Sequence, residues 1–332
     1  MSQTSTSNTS STSSAPASPL TASTSATPTT FKSGFVALIG RPSVGKSSLL
    51  NAILKKHVAI TSKVSQTTRK RLRGILNLPD AQIIFVDVPG IHKPQDALGK
   101  NLNAQAFVEA QEADIVAYLL DATMPFGRGD AWVLKHLAPF TCRHEIPVIL
   151  VITKADIADA TIVEDQITSA HEAFREADAA FLQTIVVSAK TGFNVESLVQ
   201  TLQEQLPQGP QWFSGDDSID ATQEDIAAEF IREQVLRSCK EELPHATAVL
   251  VDELVWRNKG LVHIEATIMV ERKSQKAIIV GKGGEMIKRI GTAARRALEA
   301  YFDARVHLTL NVEVQKKWRE DERILKQLGY ME

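Results

Sequence analysis

The stretch Gly40-Arg-Pro-Ser-Val-Gly-Lys-Ser-Ser48, GRPSVGKSS, decides the fold. It carries the spacing G-x-x-x-x-G-K-[ST] and directly follows the apolar run FVALI at residues 35–39. That run is too short and too uniformly apolar for an amphipathic helix, so it reads as a buried parallel strand. Residues 47–54 then have helical composition. Between strand and helix, Gly40 and Gly45 permit backbone conformations closed to other residues. The loop N–H groups can therefore converge on phosphate oxygens at the helix N-terminus. In such a loop Lys46 reaches the β and γ phosphates and Ser47 holds Mg²⁺, while Ser43 and Ser48 belong to the same phosphate-binding set.

Working outward, residues 33–206 alternate apolar runs with helical segments, the clearest runs being 35–39, 83–86, 115–120, 148–152 and 185–187. This is the pattern of an α/β, doubly wound sheet, in which ligands sit beyond the carboxyl ends of the strands. The run at 83–86 ends in Asp87-Val-Pro-Gly90, where Asp87 can hold Mg²⁺ through water and the Gly90 N–H can face a γ-phosphate. The run at 148–152 ends in Thr153-Lys-Ala-Asp156. A carboxylate at Asp156 can accept the N1 and N2 protons of guanine, which adenine lacks, and Lys154 would lie over the base. The run at 185–187 ends in Ser188-Ala-Lys190, where the Ala189 N–H can meet the guanine O6. Taken singly, DVPG fits an exposed turn and TKAD a helix cap. Their order and spacing, each on the loop after a strand, make a guanine-nucleotide signature whose ligand is GTP or GDP with Mg²⁺.

Gln66-Thr-Thr-Arg69 lies between the phosphate loop and DVPG. A threonine there can join the Mg²⁺ shell when a γ-phosphate is present, and its release would disorder the loop. The basic run Arg69, Lys70, Arg71 and Arg73 reads as a solvated face, an RNA contact being the alternative.

Residues 207–222 are turn-rich and read as a linker. Residues 223–332 then give an amphipathic helix near 225–240, two alternating strands, two helices around Gly281-Lys-Gly-Gly284, and a last strand. The GKGG turn lets backbone approach nucleic-acid phosphates. From Arg272 to Arg296 eight Lys or Arg residues face one acid, Glu285, which supports an RNA-binding role for Gly281, Lys282, Gly283, Gly284, Lys288 and Arg289.

The remaining composition sets bounds. A chain of 332 residues suits two domains, and a net charge of −2 implies no global polyelectrolyte partner. Cys142 and Cys239 lack metal-ligand spacing and read as packing residues in a reducing cytosol. No apolar stretch approaches the roughly 18 residues of a membrane span. Residues 1–32 are almost entirely Ser, Thr, Ala and Pro, with Lys32 the one charged side chain, and are expected to be a disordered tail, a Ser-rich transit peptide being the alternative.

GRPSVGKSS, QTTR, DVPG, TKAD and SAK resemble a translation-factor-related small GTPase. Thr153 departs from the N-K-x-D usual there, although its hydroxyl can still bridge neighbouring loops. The helix, two strands, two helices and strand around GKGG resemble a type II KH domain, α+β in class. Together with GPQWF, IREQVL, ELPHA and IVGKGGEMIKRIG they resemble the Era family of bacterial ribosome-assembly GTPases over residues 33–330. The resemblance implies GTP hydrolysis, with Thr68 as the switch threonine. It also implies action in small-subunit assembly, binding of the 3′ end of 16S ribosomal RNA, a cytoplasmic monomer, and peripheral association with the inner membrane.

Where many GTPases carry a glutamine after D-x-x-G, this chain has Ile91, which cannot orient water, so intrinsic hydrolysis is expected to be slow. Relatives with that substitution often use a potassium ion held by an asparagine at the position occupied here by Ser43. Two other classes stay open: a P-loop kinase, which has no use for TKAD and SAK, and a nucleotide-locked RNA-binding scaffold with negligible turnover.

Overall fold

The computed structural model describes residues 31–61, 68–94, 97–239 and 243–331. The expected tail up to residue 30, and Gln66 and Thr67 of the switch motif, lie outside the described residues.

The chain runs β1 (Lys32–Gly40), α1 (Lys46–Leu54), β2 (Leu72–Asn77), β3 (Ala81–Asp87), α2 (Ala97–Glu112), β4 (Ile115–Asp121), α3 (Arg128–Arg143), β5 (Val148–Thr153), α4 (Ala160–Arg175), β6 (Gln183–Val186), α5 (Val195–Gln205) and β7 (Ile219–Asp220). These strands form one sheet in the order β6-β5-β4-β1-β3-β2-β7. Strands β3, β1, β4, β5 and β6 pair in parallel, and β2 runs antiparallel to β3. Both faces are covered, so the central strands read as continuous apolar runs. Val36, Leu38, Ile83 and Phe85 pack with Leu49, Leu50 and Leu202 of α1 and α5. Ala37, Ile39, Val86 and Tyr118 pack on the opposite side with Leu137 and Phe174 of α3 and α4.

β2 was not visible as a run, because Arg73 and Gly74 interrupt its apolar pattern. Gly74 lets α1 pack close: a Cβ there would stand 2.7 Å from Leu50 Cδ1 and displace that side chain. Residues 207–222 lie against this sheet. Gln82 accepts from the Trp212 and Phe213 N–H groups and donates to the Phe213 carbonyl, and Ile219 pairs with Gly74.

The second half runs α6 (Gln223–Ser238), α7 (Leu243–Ala246), β8 (Ala248–Asn258), β9 (Leu261–Val270), α8 (Lys273–Val280), α9 (Glu285–Phe302), β10 (Arg305–Val314) and α10 (Glu322–Gln327). Its sheet has the order β10-β9-β8, parallel between β9 and β10 and antiparallel between β8 and β9. The Thr222 hydroxyl accepts from the Asp225 N–H and starts α6. One sheet face packs on α6 and α9 through Ile231, Val235, Ile264, Ala266, Ile290 and Leu298. The order is that of a type II KH domain.

The two halves are joined by a separate apolar cluster in which Leu98 and Leu102 of α2 pack with Trp318, Leu325, Leu328 and Tyr330. Here the structure corrects the reading of the basic run. Lys70 pairs with Asp225 at 2.5 Å, Arg71 with Glu109 at 2.5 Å, and Arg73 with Asp220 at 3.4 Å. Arg69 is 1% exposed and Lys70 reaches α6, so these two residues lie in an interdomain seam, whereas Arg71 and Arg73 pair within the first half and Arg71 stays exposed. The Arg69 Nη1 donates to the Thr247 carbonyl at 2.7 Å, and the guanidinium lies 5.5 and 5.9 Å from the Trp318 and Tyr330 ring centroids. Burying such a cation costs several kcal/mol. A carbonyl bond to a charged donor returns about 1.5–3 kcal/mol and each desolvated ring contact up to about 2. The terms are of one size, so this burial serves placement more than net stability. Burial, reinforced by Arg232, lowers the Arg69 pKa to about 10, which keeps it charged at neutral pH. The packing role expected of Cys142 is also corrected: it is exposed, whereas Cys239 is buried.

Candidate nucleotide site and GKGG loop

The phosphate loop follows β1 and ends at Gly45, whose φ of +101° only glycine adopts without strain. Gly40 and Gly90 are both required by contact. A Cβ on Gly40 would stand 2.6 Å from the Leu119 carbonyl oxygen, and one on Gly90 2.5 Å from Pro42 N. The DVPG loop therefore presses directly on the phosphate loop, and the Ile91 N–H donates to the Gly40 carbonyl at 3.0 Å. The Ile91 side chain is fully buried in the sheet core. Ser43, on the loop at a φ of +66°, and Ser48, in the first turn of α1, are both exposed.

Lys46 is 6% exposed and its ammonium donates to the Gly40 and Arg41 carbonyls at 3.2 and 3.1 Å. Burial lowers its pKa from 10.5 to about 8, opposed by the charge of Asp87. Ser47, Thr68 and Asp87 come together from three separate elements. Ser47 Oγ donates to Asp87 Oδ2 at 2.6 Å and lies 3.0 Å from Thr68 Oγ1. Asp87 is fully buried, and its Oδ1 has no hydrogen-bond partner among the described residues. Burial pushes its pKa up, with Lys46 and Ser47 opposing. An orphaned buried carboxylate oxygen beside two hydroxyls is an all-oxygen donor set that fits a hard divalent cation such as Mg²⁺.

The base-side residues cluster at the ends of β5 and β6. Ser188, fully buried, donates to Asp156 Oδ1 at 2.8 Å, and Lys190 Nζ lies 3.4 Å from Asp156 Oδ2. The Ser188 bond, ahead of other contributions, holds the Asp156 carboxyl below its usual range. Ala189 lies between them on the same loop, half-buried. Lys154, at a φ of +60°, pairs with Asp121 at 2.5 Å. Thr153 is buried and its hydroxyl faces the Val44 carbonyl at 2.5 Å and the Leu120 carbonyl at 2.9 Å. Sequence reasoning missed Asp121, which orients Lys154, and Asp130, which pairs with Arg41 of the phosphate loop at 3.0 Å. Asp121 closes an apolar strand, the one signal that could have marked it.

At the other end of the molecule, Gly281 to Gly284 join α8 to α9, with φ of +75° at Gly281, +60° at Gly283 and +83° at Gly284. The glycines differ in kind. A Cβ on Gly281 would stand 2.7 Å from Met286 Cβ, whereas nothing lies within 4 Å of one on Gly283 or Gly284. Gly281 is thus a packing glycine and the other two face open space beside Lys282. α9 buries Ile290, Ala294 and Leu298, and Lys288, Arg289, Thr292, Ala293 and Arg296 line a groove together with one acid, Glu285. Arg289 is partly committed, donating to the Ser238 carbonyl at 3.3 Å.

A family model described as 50S ribosome-binding GTPase matches residues 35–154, and one described as KH domain matches residues 242–319. GTPase Era of Geobacter metallireducens is 45% identical over 301 residues, covering 90% of this chain and 98% of its own. GTPase Era of Leuconostoc citreum is 40% identical over 304 residues, 92% and 98% of the two chains. Among solved structures, a crystal structure of Era with MgGDPNP and nucleotides 1506–1542 of 16S ribosomal RNA superposes with a TM-score of 0.84 at 36% identity, covering 91% of this chain and 100% of that one. A single-residue variant of Aquifex aeolicus Era bound to GDP·AlF4⁻ gives 0.84 at 35% identity with the same coverage. With near-complete relatives at this identity, and with the phosphate, base and GKGG loops assembled as described, the chain belongs to the Era family of GTPases.

Proposed function

We propose that this GTPase is a switch in small ribosomal subunit assembly that takes GTP with Mg²⁺ and binds the 3′ end of 16S ribosomal RNA through its KH domain. The observation that carries the reading is the convergence of Ser47, Thr68 and the orphaned Asp87 Oδ1 beside Lys46. The RNA half rests on the open Gly283–Gly284 backbone and on the relative crystallised with that RNA. When bound, Mg²⁺ supplies positive charge to the phosphate oxygens. Ser47 and Asp87 hold the ion, Lys46 meets the β and γ phosphates, and Asp156 with the Ala189 N–H reads guanine. The Gly90 N–H faces the γ-phosphate. Because Ile91 is buried and has no hydrogen-bonding side chain, water is placed by backbone, an ion or a partner, and intrinsic turnover is slow.

We place the protein in the cytoplasm as a monomer, and no helix among the described residues is long and apolar enough to cross a membrane. The test is steady-state GTP hydrolysis by the full chain, with and without an RNA carrying the 3′ end of 16S ribosomal RNA and with a scrambled control. Stimulation by the authentic RNA alone is expected. Equal rates with all three samples would overturn the RNA assignment, and negligible turnover in every sample would leave a nucleotide-locked scaffold.

A further inference from the structure

Thr68 and Arg69 are adjacent in the chain, yet their side chains serve different domains. The Thr68 hydroxyl lies 3.0 Å from Ser47 Oγ, in the nucleotide site. The Arg69 side chain is buried in a socket of the KH half, bonded to the Thr247 carbonyl and flanked by Trp318 and Tyr330. The socket walls are themselves fixed. Trp318 Nε1 donates to the Ala246 carbonyl at 2.9 Å, and the Tyr330 N–H to the Leu325 carbonyl at 2.8 Å. The same walls receive α2, whose Leu98 and Leu102 pack against Trp318 and Tyr330 and whose Gln105 donates to the Tyr330 carbonyl at 3.3 Å. α2 begins seven positions after Gly90. Both segments that flank the γ-phosphate side of the site thus lead into one pocket of the other domain.

We propose that Arg69 is a positioning residue for GTP hydrolysis: anchored in the KH socket of Thr247, Trp318 and Tyr330, it holds Thr68 against Ser47 and Asp87 and makes ordering of the Mg²⁺ side of the site depend on domain docking. The inference rests on the reading of Thr68 as part of that side. A loop residue loses backbone entropy when it is fixed. With the neighbouring side chain already anchored, part of that loss precedes nucleotide binding, which is preorganisation. A KH half that moved away on binding RNA would pull Arg69 and α2 together, so one displacement would reach Thr68 and the DVPG loop at once.

The test uses the full chain and its Arg69→Met, Arg69→Lys, Tyr330→Leu, Arg69→Met/Tyr330→Leu and Thr68→Val variants. Single-turnover GTP hydrolysis is measured against Mg²⁺ concentration, alongside the affinities for GDP and a non-hydrolysable GTP analogue. Arg69→Met should slow hydrolysis about tenfold and raise the Mg²⁺ needed for half-maximal rate, with GDP affinity within about twofold of the parent. Arg69→Lys should restore part of the rate. The double variant should be no slower than Arg69→Met alone, because both changes break one contact. A purely structural role would weaken GDP and analogue binding alike and leave the Mg²⁺ requirement unmoved, which would overturn the proposal. Normal hydrolysis by Arg69→Met with an impaired Thr68→Val would refute the positioning role and leave the Thr68 assignment standing. A normal Thr68→Val would instead bring down that assignment and the proposal with it. If Arg69→Met does not fold, Tyr330→Leu at the far end of the contact carries the same comparison.

Discussion

The Thr153 hydroxyl lies 2.5 Å from the Val44 carbonyl oxygen, so the residue that opens the guanine motif is bonded to the phosphate loop 109 positions earlier in the chain. Its single proton also faces the Leu120 carbonyl at 2.9 Å and satisfies one oxygen at a time. Thr153→Val keeps the shape and leaves both buried carbonyls without this donor. The expected cost is about 1–3 kcal/mol, read as at least a fivefold loss of GDP affinity in a folded protein. An unchanged affinity would show that the bridge does not shape the site.

Asp156 accepts from buried Ser188 and stays ionised, as guanine recognition requires. Asp156→Asn replaces one acceptor with a donor, which opposes the N1 and N2 protons of guanine and suits the 2-oxygen of xanthine. GTP affinity should fall by about two orders of magnitude while XTP affinity rises. Competition of the two nucleotides for one fluorescent analogue measures both.

Lys46 makes nucleotide binding depend on pH. Its pKa in the free chain is about 8, lowered by burial against the opposition of Asp87, and a bound phosphate would return it towards 10.5. Above pH 8 binding therefore takes up a proton, and GTP affinity should fall by up to about tenfold per pH unit. Over the same window the unfolded chain binds more protons than the folded nucleotide-free chain, so the latter gains stability as pH rises. Calorimetry in buffers of different ionisation enthalpy reads the uptake directly; identical heats at pH 8.5 would contradict it.

Gly283 has a φ of +60° and open space where a Cβ would stand. Aspartate tolerates that conformation better than most side chains, so Gly283→Asp should fold and bind GTP normally. Its carboxylate would oppose phosphate approach, and RNA affinity should drop about tenfold or more at low salt. Gly281→Ala should behave differently, losing stability through the Met286 contact. A melting curve and a filter-binding titration on each variant separate the two.

Ser43 stands at a φ of +66°, a conformation asparagine also adopts. The serine hydroxyl is shorter than an amide carbonyl and a poorer ion ligand, so hydrolysis should differ by less than about twofold between matched KCl and NaCl. Ser43→Asn should create potassium stimulation. A parent rate rising about tenfold in KCl would mean that another group completes the ion site.

The nucleotide and KH loops were legible in the sequence because each is a local device. Gly40, Gly45, Lys46 and Ser47 lie within one turn and its helix start, and Gly281–Gly284 within another, so spacing alone encodes what backbone and side chains do there. Uniformly apolar runs mark the central strands, and β2, interrupted by Arg73 and Gly74, carries no such run. Arg69 is the contrary case. Its neighbours Lys70 and Arg71 make it look like part of a solvated basic run, and its partners Thr247, Trp318 and Tyr330 lie at least 178 positions away. A charge is buried or exposed according to what packs over it, and that depends on contacts distant in sequence. The chain's motifs thus determined its nucleotide class and its KH loop, whereas the tertiary structure alone decided that Thr68, beside Ser47, is followed by an arginine buried in the KH half.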